Sequence, residues 1–316
     1  MTRLLRFVPI LAALALLTAC EDFVGGDWGN SERFKDDFHY SYPLKSGGSL
    51  SVENFNGSIE ILGWDQDKVE INGTKFASSR SLLDSLKVET SAGPDSVRIH
   101  SSRPDWTRGS LGVRYTIRVP RKVRLDTIES TNGAIRIEDV DGVARLRSTN
   151  GHIRSLHQRG ELDARTTNGG IEIEGLEGNA SVHTSNGTIR AEVRHGNFEA
   201  TTSNGGIHAR LIDPPGDRPV KAGTSNGHVE LELQGSRLPD VRASSSNSGI
   251  VIRLPESASA RVQATTTHGS VSSDFDSLRS RGDGRHREHE LDGTIGGGGP
   301  LIDISTTNGS VKILKM

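Results

Sequence analysis

Few residues of this 316-residue chain combine the type and spacing that chemistry requires. The densest set is Arg285-His286-Arg287-Glu288-His289-Glu290, where imidazoles and carboxylates alternate as metal ligands can. It sits among further arginines, Arg279 and Arg281, ahead of four consecutive glycines at 296–299, and a solvated loop is the simpler reading. Asp139 and Asp141 lie close together, and glycoside hydrolysis needs two carboxyl groups about 5–9.5 Å apart. Two acids in one turn are more simply turn formers. Arg136, Arg154, Glu172, Arg190, His208 and Glu230 recur along one face, so acids alternate with bases there and do not cluster. His152 and His228 share a repeat position several repeats apart, and His183, His195 and His208 read as surface histidines. No glycine-rich loop follows a strand and opens a helix, so no phosphate cradle is expected. These residues assign no catalytic group, no cofactor and no metal.

Cys20 has a different chemistry, and it is the one cysteine, so no disulfide forms within the chain. Arg3 and Arg6 precede an apolar run at 7–17, too short to span a bilayer as a helix and suited to a secretion signal. The run ends in Leu17-Thr18-Ala19-Cys20, which resembles the bacterial lipobox. The resemblance implies cleavage of residues 1–19 and acylation of the Cys20 thiol and the new amino group. The alternative is an ordinary signal peptide with a chance cysteine. Several acyl chains anchor stably where one is marginal. The partner implied is therefore the membrane, reached through a lipid anchor. Glu21 after the cysteine favours the outer membrane if the source is Gram-negative. Residues 20–37 are charged and glycine-rich and read as a flexible tether.

The elements behind the tether announce themselves by repetition. Ser-Thr-Asn132-Gly133-Ala-Ile135 returns at Asn150, Asn168, Asn186, Asn204, Asn226 and Asn247, at His268, and once more at Asn308. The first four steps between these positions are 18 residues, and the next three are 22, 21 and 21. A fixed period of this size marks a repeat architecture. Hairpins joined by Asn-Gly do not explain one signature at a constant 18, and propellers need periods near 40 residues.

Within a repeat, aliphatics alternate with polar residues, as in Ile135-Arg136-Ile137 and Ile171-Glu172-Ile173, which is strand periodicity. A turn holding Gly142, Gly160, Gly178 or Gly196 follows, then a second alternating run through Leu146, Ala164, Val182 or Ala200. Carrying that parity forward points Ser148, Thr166 and Thr184 inward, and the Asn side chains with them, as a buried amide ladder. The chain then turns a corner at Asn-Gly, where glycine admits a positive φ. Stacking such repeats about 4.8 Å apart pairs the backbone throughout. The expected fold is all-β: a single parallel β-solenoid of 18–22 residues per coil. Irregular cap coils span 38–129, regular repeats 130–273, a loop excursion 274–300 and a final coil 301–316. Strands are expected at 50–55, 58–62, 69–74, 85–90, 97–101, 113–119 and 124–128 in the cap, with a helical turn at 82–86.

Gly48-Ser49-Leu50-Ser51-Val52-Glu53-Asn54 leading into Asn56-Gly57, then Gly63-Trp64-Asp65, Val119-Pro120 and the Asn-Gly series resemble the bacterial DUF4097 family of β-strand repeat proteins. The resemblance covers about residues 38–316 and departs from the pattern at Ser248 and His268. It implies a β-helical body in an extracytoplasmic, envelope-associated setting. Some relatives are linked to envelope stress, members carry the provisional label adhesin, and no catalytic motif comes with the family.

Composition agrees with a thin core: 33% hydrophobic, 4% aromatic and 37 glycines. A net charge of −2 makes no electrostatic case for nucleic acid. One outward row is regular: Thr131, Thr149, Thr167, Ser185, Ser203 and Ser225, continued by Ser246 and Thr267. It could meet a repetitive surface such as glycan or ice, and hydroxyls beside a tight corner are the plainer account. The expected function is a non-enzymatic, lipid-anchored, adhesin-like solenoid presenting a surface to an envelope glycan or protein. The alternatives are a structural or stress-associated envelope component and, last, a polysaccharide-active enzyme.

Overall fold

The computed structural model describes residues 32–103, 109–278 and 289–316. Each repeat contributes two strands, one on either side of the Asn-Gly corner, and the two go to different sheets. Ile135–Glu138, Ile153–Leu156, Ile171–Glu177, Ile189–Arg194 and Ile207–Ile212 lie side by side in one sheet. Ala144–Ser148, Leu162–Thr166, Ala180–Thr184 and Phe198–Thr202 lie side by side in the other. Each sheet has 13 strands, and the pairing among these repeats is parallel. Register follows the repeat: Ile153 sits between Ile135 and Ile171, and Ala164 between Leu146 and Val182. The chain is therefore all-β, with two long parallel-rich sheets whose arrangement is compatible with a β-helix.

The core is a set of aliphatic ladders between the sheets. Ile135, Ile153, Ile171, Ile189, Ile207, Val229, Ile250 and Val311 are all buried at the same repeat position. Each fully buried aliphatic side chain contributes about 1.5–3 kcal/mol. One repeat breaks the apolar pattern. Ser155 takes an inward place and bonds to Gln158 at 3.0 Å, while the Gln158 amide donates to the Gly142 and Glu161 carbonyls. Both side chains are buried and both are satisfied, which is the condition for tolerating polar atoms there.

The two ends depart from parallel stacking. Phe34–Pro43 pairs antiparallel with Lys68–Ala77, which pairs antiparallel with Leu111–Pro120. Lys87–Ala92 pairs antiparallel with Ser96–Ser102. The first strand thus begins inside the span read as tether, at Phe34. The strand expected from residue 85 starts instead at Lys87, because Arg80–Ser85 forms a short helix. Ser79 caps it, its Oγ accepting from the Leu82 amide, and Leu83 and Leu86 are buried beneath. Hairpins and a helix close an end that a further parallel repeat would leave open.

The last repeat in sequence is not the last in space. Leu301–Thr306 lies between Val241–Ser245 and Ala260–Thr266, so Ile302 pairs with Val241 on one side and Val262 on the other. Val311–Lys315 likewise lies between Ile250–Leu254 and Val271–Ser273. The intervening segment, read above as a loop excursion, supplies Glu290–Ile295, which pairs antiparallel with Ala260–Thr266 and covers that edge. The final coil is an insertion into the stack.

Candidate functional site

The Asn-Gly corners are the most regular polar feature of the molecule. Asn150 Nδ2 donates to Asn132 Oδ1 at 2.7 Å, and the same bond recurs from Asn168 to Asn150, Asn186 to Asn168 and Asn204 to Asn186 at 2.8 Å. It continues from Asn226 to Asn204, Asn247 to Asn226 and Asn308 to Asn247. These side chains are exposed, which corrects the expectation of a buried ladder. The inward parity ends at the preceding hydroxyl, not at the Asn. Ser148 and Thr166 are buried and donate to the carbonyls of Gly133 and Gly151 one repeat back, at 3.1 and 2.9 Å. With that inward place filled, the corner swings the amide out to the solvent side.

The corner glycines serve a different purpose from the one expected. Gly133, Gly151, Gly169 and Gly187 are not among the residues with positive φ. A Cβ on any of them would fall on the carbonyl oxygen of the corner before it, from Gly57 to Gly169. Close approach of backbones demands glycine here. Left-handed backbone in the regular repeats belongs to the opposite turn, at Asp139, His157, His195 and Asp213, with φ between 47° and 57°, and at Gly175 with φ 65°, while of the corner glycines Gly57 alone among the described residues has a positive φ. Asp or His recurring beside that turn was the sequence signal for it, and only the turn-forming character of Asp139 was legible.

Beside the ladder, Thr131, Thr149, Thr167, Ser203 and Ser225 are exposed and Ser185 is half-buried. The strand faces carry charge that is largely self-paired. Arg154 reaches Glu172 at 3.2 Å and Glu174 at 2.7 Å, and Arg147 reaches Asp163 at 2.5 Å. Glu230 is shared by His208 at 3.4 Å and Arg253 at 3.0 Å. The hydrogen bond from Arg253, and after it the one from His208, hold the Glu230 carboxyl below the usual carboxylate range against the opposing effect of partial burial. The hydrogen bond from Arg154 does the same for Glu174. Asp139 lies 3.4 Å from Arg121 and 3.8 Å from His157, and Asp141 lies 3.9 Å from Arg159, so the two candidate carboxylates are engaged with cations.

Cys20 and residues 285–288 of the histidine-rich run lie outside the described residues. His289, at the edge of that run, has Nδ1 2.6 Å from the Gly269 carbonyl. One strand face carries a cleft of about 410 Å³, bordered by Asn179, Asn197, Arg218 and Pro219. Sequence reading passed over it, because its members are scattered among turns and its wall is a four-residue lengthening of one repeat.

No family model matches the chain, and no curated protein matches it. Solved structures do. A provisionally named adhesin from Parabacteroides merdae is 9% identical over 89% of this chain and 96% of its own, with a TM-score of 0.42. A provisionally named adhesin from Bacteroides fragilis is 11% identical over 89% and 97%, with a TM-score of 0.38. A provisionally named lipid binding protein from Parabacteroides distasonis is 12% identical over 90% and 98%, with a TM-score of 0.36.

Proposed function

We propose that the chain is an exported, lipid-anchored β-solenoid that performs no catalysis and presents its long outer faces for interaction in the cell envelope. The observation that carries this reading is the in-register repeat of both sheets, which holds exposed side chains in fixed rows over many repeats. A scaffold of that kind offers an extended rigid surface, as solenoid binding proteins do. The lipobox-like Leu17-Thr18-Ala19-Cys20 supplies an anchor, and residues 21–31 a spacer. Acylation of Cys20 is the attachment proposed, on the lipobox-like sequence alone. The resemblance to the DUF4097 family supports the same envelope setting. The row Thr131, Thr149, Thr167, Ser185, Ser203 and Ser225 is one candidate contact surface.

A second reading, a structural or stress-associated component without an external ligand, is favoured by the mutual pairing of Arg154 with Glu172 and Glu174. Fractionation tests the anchor: the full chain is expected with membranes and Cys20→Ala in the soluble fraction, and a membrane-bound Cys20→Ala sinks it. Protease shaving of intact cells separates the two readings, since a protein that meets other cells must be cleaved and one facing the periplasm is protected.

A further inference from the structure

Many outward polar groups of the stack answer one another, amide to amide at the corners and guanidinium to carboxylate on the strand faces. The cleft of about 410 Å³ gathers several that do not into one concavity. Glu161, Asn179, Asn197 and Pro219 immediately precede Leu162, Ala180, Phe198 and Val220 in four neighbouring strands, so they form one row across the groove. Three strand spacings of about 4.8 Å put the two ends of that row about 14 Å apart. Buried Phe198 forms the floor. The wall is the loop 213–219, where the step from Asn204 to Asn226 lengthens to 22 residues after four steps of 18.

Several groups in this groove have no partner of their own. Among the described residues, the Arg218 guanidinium, the Glu161 carboxylate, the Ser181 hydroxyl and the Asn197 side-chain amide make no hydrogen bond or ion pair. Asn179 Oδ1 accepts from the Asn197 backbone N–H at 2.9 Å, which leaves its two amide hydrogens free. Glu199, the other acid of the cleft, is matched by Lys221 at 3.4 Å. The unanswered set therefore comprises one cation at the loop end, one carboxylate at the far end, and amides and a hydroxyl between.

We propose that this cleft binds a short stretch of acidic glycan, with the carboxylate of a uronate-type sugar on Arg218 and ring hydroxyls on Asn197, Asn179 and Glu161. A guanidinium matches a carboxylate by two parallel hydrogen bonds. Sugar hydroxyls both donate and accept, which suits a row that mixes amides with a carboxylate. The aliphatic ring of Pro219, which lines the cleft, offers apolar surface to the C–H side of a sugar. The volume falls in the range of small-ligand sites, about 300–1,000 Å³, and the row length accommodates two or three sugar units. The proposal rests on the reading of the protein as an interaction module and names the class of ligand it takes.

The test uses the full chain in detergent, with cellobiouronic acid and neutral cellobiose as probes and binding followed by ligand-observed NMR titration. The acidic disaccharide is expected to bind at least tenfold more tightly than the neutral one. Arg218→Gln is expected to abolish that preference, and Asn197→Ala to weaken both sugars several-fold, each at unchanged melting temperature. Equal binding of the two sugars, a preference that survives Arg218→Gln, or displacement by inorganic phosphate as readily as by the uronate would each overturn the proposal. If neither sugar binds while Cys20 still directs the chain to membranes, the ligand assignment fails and the reading of an anchored scaffold stands.

Discussion

Asn168 donates its side-chain amide to Asn150 and accepts the amide of Asn186, each at 2.8 Å, so one side chain bridges three repeats on the open surface of the stack. The amide has a carbonyl on one side and an NH₂ on the other, and the ladder uses both. The polarity of the ladder is therefore set along its whole length. Asn168→Ala removes two such bonds at an exposed site and is expected to cost about 1 kcal/mol. Asn168→Asp should cost more, because a carboxylate has no hydrogen to offer Asn150 Oδ1 and turns that contact into acceptor against acceptor. Thermal melts of the two variants check the order, and an Asp variant as stable as the wild type would remove the ladder from the account of stability.

Gly151 sits where the chain of the previous corner passes closest, and an added Cβ meets the Gly133 carbonyl oxygen. Relief requires prying two repeats apart, which also loosens the bond from Ser148 Oγ to the Gly133 carbonyl. Gly151→Ala is expected to destabilise by about 3 kcal/mol, at the upper end of overpacking costs. Gly297→Ala is the control, since a Cβ there meets nothing within 4 Å. Equal denaturation midpoints for the two variants would contradict the close approach.

The inserted final coil makes a prediction about order of assembly. Val241 and Val262 both pair with Ile302, and Ala243 and Ala264 both pair with Ile304, so the two flanking strands present the same register to the space between them. Deleting residues 301–316 is expected to let Ala260–Thr266 stack directly on Val241–Ser245. Hydrogen exchange reads the result: the amides of Val241–Ser245 that bond toward Leu301–Thr306 stay protected if the gap closes and exchange freely if it remains open.

Glu230 gives the fold a pH dependence with a definite sign. Its carboxyl is held below the ordinary value of 4.5, first by the hydrogen bond from Arg253. A depressed acid adds stability that is present above the unfolded value and is lost as pH falls through the folded one. Wild type should therefore melt above Glu230→Gln at pH 7, and the gap should close as pH falls below about 4.5. A gap that persists unchanged at pH 3 would assign the effect to shape and not to charge.

Much of this architecture was legible in the chain. A signature returning at 18 residues and aliphatics at alternate positions, Ile135 and Ile137 or Ile171 and Ile173, require strands that stack on their own copies. Register followed from arithmetic, and so did pairs such as Arg154 beside Glu172. These are local or one-repeat relationships, and a one-dimensional repeat encodes them directly.

What the tertiary structure decided depends on where backbones come close and which copy lies next to which. Parity placed the Asn row inside, but the hydroxyl of Ser148 or Thr166 fills that space, and the amides are left to bond to each other outside. The corner glycines Gly133, Gly151, Gly169 and Gly187 are set by a neighbouring carbonyl, not by their own φ. The position of the last coil is a choice among equivalent registers. Asn308 extends the amide ladder from Asn247, whereas His268, without an amide, stands at its end. Sequence order ranks 268 before 308, and spatial complementarity reverses them.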